Sequence, residues 1–577
     1  MNQTRTLLAA AWLILAFWIW QDWQQDHAPP QTGSVNSNAA NDAQSTRVSA
    51  KVPKPAPAVP TASPALSDAT TTPAMPSTGR TLGVETSDVP AAPPVTLGND
   101  VLRLRIDPHG ASIVGAELLA YGQTTSRNST PVKLLDSDPT DFFVAESGIV
   151  SAGGHAPNHL SVFQVERSTA DKSFAQGSDS ISQSLLWSDP SGVQVRKTFT
   201  LKRGSYVIDV QEEIRNGGAT TWIGNDYRQL RRVPPIIKKS GGLTNFESYA
   251  FVGAAWFSPE DRYETRALTK YDDPLDKSVT GGWMAMVQHY FLAAWIPDPK
   301  EPEKLSIDTD TTSGSPIYRI LATGPAMQVP AGGSRKTEVR LYVGPELQNT
   351  LPSVAPGLEL TVDYGWFKIF AGPLFWLLSK LHWLFGNWGW SIVALVLLIK
   401  LAMFKLSEAQ YKSMAKMRAI QPRLEALKER YGDDKQQYQL AMMELYKKEK
   451  INPAGGCLPA LVQIPIFFAL YRVLLYSVEL RHAPWFGWIH SLSEQDPYFV
   501  LPVLYTISMI ATQRLTPSPG MDPMQKKMMQ VMPLVMGVMF AVAPAGLALY
   551  WVISNTLGLV QQWWLMRKHG VPGVVKR

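Results

Sequence analysis

Two patterns of apolar spacing divide the chain. Between residues 97 and 350, short segments at 101–106, 193–199, 206–210 and 339–343 alternate apolar and polar residues, with Gly, Pro, Asn and Asp between them. Successive side chains of a strand point to opposite faces, so this pattern predicts a large antiparallel β-sandwich. After residue 350 the alternation gives way to uncharged or nearly uncharged runs at 389–406, 457–478, 498–513, 528–543 and 546–566. Each is about long enough to cross a bilayer core as a helix. The corner at 544–546 is so short that the last two helices must form a tight hairpin.

Upstream, Arg5 precedes an uncharged run that ends at Trp18, Trp20 and Trp23. A positive start and an apolar stretch fit a signal sequence, but the Trp-rich end and the lack of a small-x-small site favour an uncleaved anchor over residues 1–27. Residues 28–96 hold 12 Pro among Ser, Thr and Ala. Such a stretch buries too little apolar surface to offset its chain entropy, so a disordered tether is expected.

Residues 364–385 are also apolar, yet Lys368, Lys380, His382 and the internal Pro373 suit an amphipathic helix lying in the interface. Charge distribution decides the count of spans. The loop 405–456 carries 11 Lys/Arg against 7 Asp/Glu, and basic residues mark the cytoplasmic side. A span at 364–385 would place that loop outside. The reading is therefore six transmembrane helices with both termini inside. The spans are 1–27, 387–406, 457–479, 498–514, 528–543 and 546–566. The interfacial helix occupies 351–386, a cytoplasmic helical hairpin 407–456, an outer loop 480–497, an inner loop 515–527 and a basic tail 567–577. The all-β domain, 97–350, then lies in the periplasm.

Composition adds bounds to this picture. The mean hydropathy of −0.08 over 577 residues averages a polar half and an apolar half, so it does not argue against a membrane protein. One Cys excludes a disulfide framework and a Cys-based zinc site. Neither a Walker A, a G-x-S-x-G nor an HExxH motif is present, and no metal or cofactor is expected. An enzyme is not the expectation.

Lys400 is the sharpest candidate. It sits in SIVALVLLIKLAMF, where a charge costs on the order of 2.5–3.5 kcal/mol and usually serves a function or reaches water. The plain alternative is a side chain that snorkels to the nearby inner surface. For Arg472, in the next span, snorkelling or an ion pair with Glu479 is the preferred reading. Gln463, Thr506, Ser508, Thr512, Gln513, Ser554, Asn555, Gln561 and Gln562 add uncharged polar groups that, with one cation, suggest a wetted cavity. Of 19 Met, 14 follow residue 400 and seven fall between 521 and 539. These are either core filler or an adaptable apolar surface. In the 407–456 loop, Ser407 with Gln410 forms a capping box, and Gly432 separates two amphipathic helices.

The segments VDYGWFKIFAGPLFWLL, SMAKMRAIQPRLEALKERYGDDKQ, NPAGGCLPALVQIPIFFALY, VELRHAPWFGWIHSLSEQDPY and GLALYWVISNTLGLVQQ closely resemble the YidC/Oxa/Alb family of bacterial inner-membrane insertases. The matches run in order from 351 to 566, and the upstream layout resembles Gram-negative members. The resemblance implies a five-helix core around a hydrophilic groove. The groove cation maps to Lys400, where most members carry Arg; Lys keeps the charge but loses the bidentate fork. Further groove positions map to Gln463, Trp551 and Asn555. An apolar slide for the substrate maps to Pro465, Phe467, Phe468, Met532 and Met536. The β-domain resembles a galactose-mutarotase-like supersandwich, to which no catalysis is assigned. Implied partners are nascent inner-membrane proteins, the Sec translocon and its accessory subunits, the ribosome and a targeting receptor at the cytoplasmic loops and tail, and membrane lipid. The rival readings are a small-solute or lipid transporter and an anchored sugar-processing enzyme. The missing internal repeat argues against the first.

Overall fold

A computed structural model describes residues 93–126, 128–151, 153–166, 171–172, 178–235, 251–311, 315–431, 434–449, 451, 458–515 and 523–568. The expected anchor at 1–27, most of the tether, Cys457, the 516–522 part of the inner loop and the tail beyond 568 lie outside these residues.

The alternating segments form two stacked sheets. Among the described residues ten strands build one and nine the other, antiparallel throughout except where Val95–Gly98 pairs with Asp171–Lys172. Strand Val193–Lys202 buries every second residue, as its period-two pattern requires. Between the sheets lies one apolar core in which Trp256, Trp283 and Trp295 are fully buried. These rings dominate the burial, at about 150–250 Å² each.

The central strand of the larger sheet, Trp222–Arg232, departs from the pattern. It is flanked by Phe143–Val150 and Ile317–Val329 and is buried on both faces from Asp226 onward. Two of its buried arginines meet carboxylates, Arg228 with Asp226 and Glu303 and Arg231 with Glu146, while Arg232 lies over the Phe143 ring and donates to Gln288. A second buried pair joins the two sheets. Lys197 Nζ lies 3.4 Å from Glu212 Oε1 and donates to the Gly110 and Ser147 carbonyls at 3.1 Å. Ser147 Oγ, from the opposite sheet, donates to Glu212 at 3.0 Å. Burial pulls the Lys197 ammonium below its usual pKa, and Glu212 opposes that shift.

The helices begin after a short turn at Leu351–Val354. They are α1 (Lys368–Phe385), α2 (Trp388–Ala402), α3 (Phe404–Ala419), α4 (Gln421–Tyr431), α5 (Lys435–Lys448), α6 (Leu458–Tyr476), α7 (Val500–Leu515), α8 (Pro523–Ala541) and α9 (Ala545–Lys568). Gly386, at φ 65°, stops α1 by returning its N–H to the His382 carbonyl, and Asn387 caps α2 by accepting from Trp390 N at 3.1 Å. Asp496 receives the N–H groups of Tyr498 and Leu501 and the Trp488 indole, so its charge sits at the start of α7. Helix α4 packs on α5 through Ile420, Leu424, Leu445 and Tyr446, but Ser407 caps no helix: it lies inside α3, which starts at Phe404 without a side-chain cap.

Among the described residues no single helix is long and apolar enough to cross a membrane. Helices α2 and α3 pass that test together, bent by 64° at Met403. Helix α6 ends at Tyr476, short of the predicted residue 479, because Ser477 to Leu480 turn away to pack on the β-domain.

Glu212→Ala leaves Lys197 buried without its counter-charge and is expected to lower the stability of the β-domain by about 3–5 kcal/mol. Replacing both, as Lys197→Met with Glu212→Leu, is expected to recover most of that loss. Thermal unfolding followed by near-UV circular dichroism checks both.

Candidate functional site

Helix α9 stands at the centre of the helical part. Its start, Ala545 to Tyr550, is buried throughout, and it packs against α7 on one side and α2 on the other. Small residues permit the close approaches. A Cβ at Gly389 would run into the Trp485 indole, and one at Gly537 into the Thr506 hydroxyl, so α8 lies tight on α7. The corner between α8 and α9 is held by Ala545 N donating to Glu494 O (2.6 Å) and Gly546 N to Leu492 O (2.8 Å).

Four helices contribute to an aromatic floor. Trp551 (α9) lies with ring centroids 5.1 Å from Phe467 (α6), 5.8 Å from Phe540 (α8) and 6.0 Å from Tyr505 (α7). One helical turn before Phe467, Gln463 donates to the Tyr550 hydroxyl and so ties α6 to α9. The Trp551 indole N–H is buried and has no acceptor among the described residues. Phe468 points the other way, 43% exposed, and stacks on Phe367 at 5.5 Å. Pro465 lies between these positions and removes one backbone donor from α6.

Lys400 lies in the last turn of α2 and is partly buried. Its ammonium faces Gly558 of α9, where an added Cβ would sit 3.6 Å from Nζ. Among the described residues no carboxylate forms an ion pair with it. Tyr411 of α3 closes this corner by donating to the Gly558 carbonyl at 3.3 Å. Asn555, three residues before Gly558, is partly buried; Gln562, one turn after it, is buried with its Nε2 unpartnered among the described residues. A cation with no ion pair among the described residues attracts carboxylates and carbonyls.

The slide positions divide. Met532 is 44% exposed on α8, in a continuous apolar face with Val531, Val535, Val538 and Met539, whereas Met536 is half-buried against the helical core. The structure therefore brings Gln463, Phe467 and Trp551 together, puts Lys400 beside the α9 turn that follows Asn555, and leaves Phe468 and Met532 facing outward.

Several polar residues taken from the sequence as signs of a wet cavity are satisfied inside their own helix. Thr506 Oγ1 donates to Pro502 O (2.9 Å), Ser508 Oγ to Tyr505 O (2.7 Å) and Thr512 Oγ1 to Ser508 O (2.9 Å). Gln513 reaches across to the Met529 carbonyl and joins α7 to α8. These are packing bonds. Arg472 does not pair with Glu479; its guanidinium lies over the Tyr476 ring at 5.2 Å. Sequence reasoning missed Tyr411, Tyr505, Phe540, Tyr550 and Gly558. Only Tyr550 carried a signal, as the polar-tipped neighbour of Trp551.

The chain thus joins a β-sandwich to a bundle of apolar helices in which Lys400 makes no ion pair among the described residues. A family model described as 60Kd inner membrane protein matches residues 380–571, and one described as YidC periplasmic domain matches residues 94–377. The chain is 47% identical over 584 residues to the membrane protein insertase YidC of Xanthomonas campestris pv. campestris, covering 99% of this chain and 98% of that one. It is 45% identical over 577 residues to the YidC of Stenotrophomonas maltophilia, covering 99% and 97%. The chain belongs to the YidC family. Among solved structures it is similar to an active YidC insertase with its first transmembrane domain resolved (TM-score 0.37, 19% identity, 82% of this chain and 92% of that). It is similar also to YidC from Thermotoga maritima (TM-score 0.32, 15% identity, 81% and 99%).

Tyr550→Phe removes the hydroxyl that Gln463 binds. It is expected to cost about 0.6–1.7 kcal/mol of helix association, read from the unfolding midpoint in a detergent titration.

Proposed function

We propose that this chain is a membrane protein insertase. It acts without a cofactor and without covalent catalysis, on nascent inner-membrane proteins, alone or beside the Sec translocon. In this reading the helical part sits in the inner membrane with six spans and both termini inside, and the β-domain is periplasmic. The ribosome and a targeting receptor meet the α4–α5 hairpin and the basic tail.

The observation that carries the reading is the partnerless Lys400, set between α2 and α9 near an exposed apolar helix face. The polar flank of a substrate is drawn to the Lys400 ammonium, with Gln463, Trp551 and Asn555 bordering the groove. This lowers the cost of taking that flank into apolar surroundings. The substrate's apolar segment then moves along Pro465, Phe467, Phe468, Met532 and Met536 into lipid. Burial of about 20 apolar residues supplies the driving force. Lys in place of Arg attracts an acidic group as a point charge and forgoes bidentate geometry.

Replacing Lys400 by Arg is expected to preserve insertion into vesicles. Lys400→Ala is expected to slow substrates with acidic flanks roughly tenfold, the equivalent of about 1.4 kcal/mol, and Lys400→Glu more. Normal insertion of every substrate by Lys400→Ala would remove the electrostatic step. Photo-cross-linkers at Phe468 and Met536 are expected to capture a stalled nascent span. Absence of adducts at both would move the slide elsewhere.

A further inference from the structure

The β-sandwich and the helices meet at a junction that insertion chemistry does not use. The segment after α6 enters it: Ser477 and Leu480 are fully buried, and Val478 joins the core of the β-domain. Gln348, just past the last strand Ser334–Pro345, donates its backbone N–H to Glu479 Oε1 at 3.1 Å and its side-chain amide to Ser477 Oγ at 3.2 Å. Tyr364 shares the same Ser477 hydroxyl at 3.2 Å. His289 donates to the Leu475 carbonyl (2.9 Å), and Arg481 to the Gly122 carbonyl (2.9 Å).

Two carboxyl groups are enclosed here, and among the described residues no cation forms an ion pair with either. Glu346 is 4% exposed and its Oε1 has no hydrogen-bond partner among the described residues; the same holds for the enclosed Oε2 of Glu479. The groups around Glu479 are Glu346, Tyr121, Tyr342, Tyr364 and Arg481. Arg481 donates to the Gly122 carbonyl, lies 3.5 Å from His482 Nδ1 and sits over the face of Phe291, 5.5 Å away. Further off, Asp363 adds negative charge near Tyr476, and His289 stays neutral because burial pulls it down to about 4. An enclosed carboxylate with an unpaired oxygen is costly, and the neutral acid far less so.

We propose that Glu479 is a pH-sensitive clasp between the β-domain and the helices, holding them together when protonated and loosening the junction when it ionises. Burial pushes Glu479 from its ordinary 4.5 up to about 7. Glu346 is pushed well above its ordinary range, first by burial, with a Thr361 hydrogen bond opposing the shift and the charge on Glu479 adding to it. A raised pKa means that the docked state binds the proton more tightly than the separated one. Docking is therefore strongest below about pH 4.5 and weakens as pH rises through 7, by roughly tenfold in the docked-to-undocked ratio per pH unit across that interval.

The test uses the full chain in lipid nanodiscs. Amide hydrogen exchange, corrected for intrinsic rate, is followed at 345–350 and 475–482 between pH 5.5 and 8.5, with strand Val193–Lys202 as internal reference. Junction protection is expected to fall roughly tenfold from pH 5.5 to 6.5 while the reference stays constant. Glu479→Gln, neutral at every pH, is expected to stay protected at pH 8.5, and Glu346→Gln to keep the wild-type pH dependence. Flat wild-type protection, or an unchanged pH response in Glu479→Gln, would overturn the clasp. Infrared titration of the wild-type carboxyl groups gives a reading independent of variant folding: a junction acid titrating near 7 supports the proposal, and none above 5 sinks it.

Discussion

The helical part rests on the close packing of α9 at its first two turns. Backbone groups there have no solvent to turn to, so the free N–H groups of Ala545 and Gly546 are taken up by the Glu494 and Leu492 carbonyls of the preceding loop. That pins the loop 480–497 to the head of α9. The same loop carries Asp496, which starts α7, and Trp485, against which Gly389 brings α2. Once α9 is fixed at this end, α2 and α7 have little freedom, and the aromatic floor around Trp551 follows from where their side chains must go.

A division of labour among polar groups follows. Thr506, Ser508, Thr512 and Gln513 spend their hydrogen bonds on helix carbonyls and make the α7–α8 side rigid. On the other flank of α9, Lys400 and Gln562 have no protein acceptor among the described residues. The contrast separates polar residues that hold helices together from those left over for something that comes and goes.

Much of the fold was legible because it rests on periodicity. Alternation in 193–199 matches the buried face of Val193–Lys202, whereas Ser334–Pro345 is buried continuously from Leu341 on, where it runs between two neighbouring strands. The buried charges of Trp222–Arg232 were hidden, since a sequence does not say that Asp226 and Glu303 will meet Arg228 inside a sandwich. At the site, Lys400 stood out as a cation in an apolar run. Tyr411 did not, because its role depends on a 64° bend that turns α3 back toward Gly558. The ion pair with Glu479, one of the two alternatives for Arg472, does not form: the helix ends before Glu479, which accepts instead from Gln348 N.

The order in which the chain is made gives the junction one more consequence. Val478 fills part of the sandwich core, yet it lies more than a hundred residues downstream of Ser334–Pro345. At about 5–20 residues per second, synthesis leaves the sandwich without this plug for roughly 5–30 s after its last strand appears. During that interval the core is incomplete at one end, and an apolar opening faces the place where the helices will later dock. The β-domain reaches its final packing only after α1 to α6 have been made, so its maturation reports on the progress of the helical part.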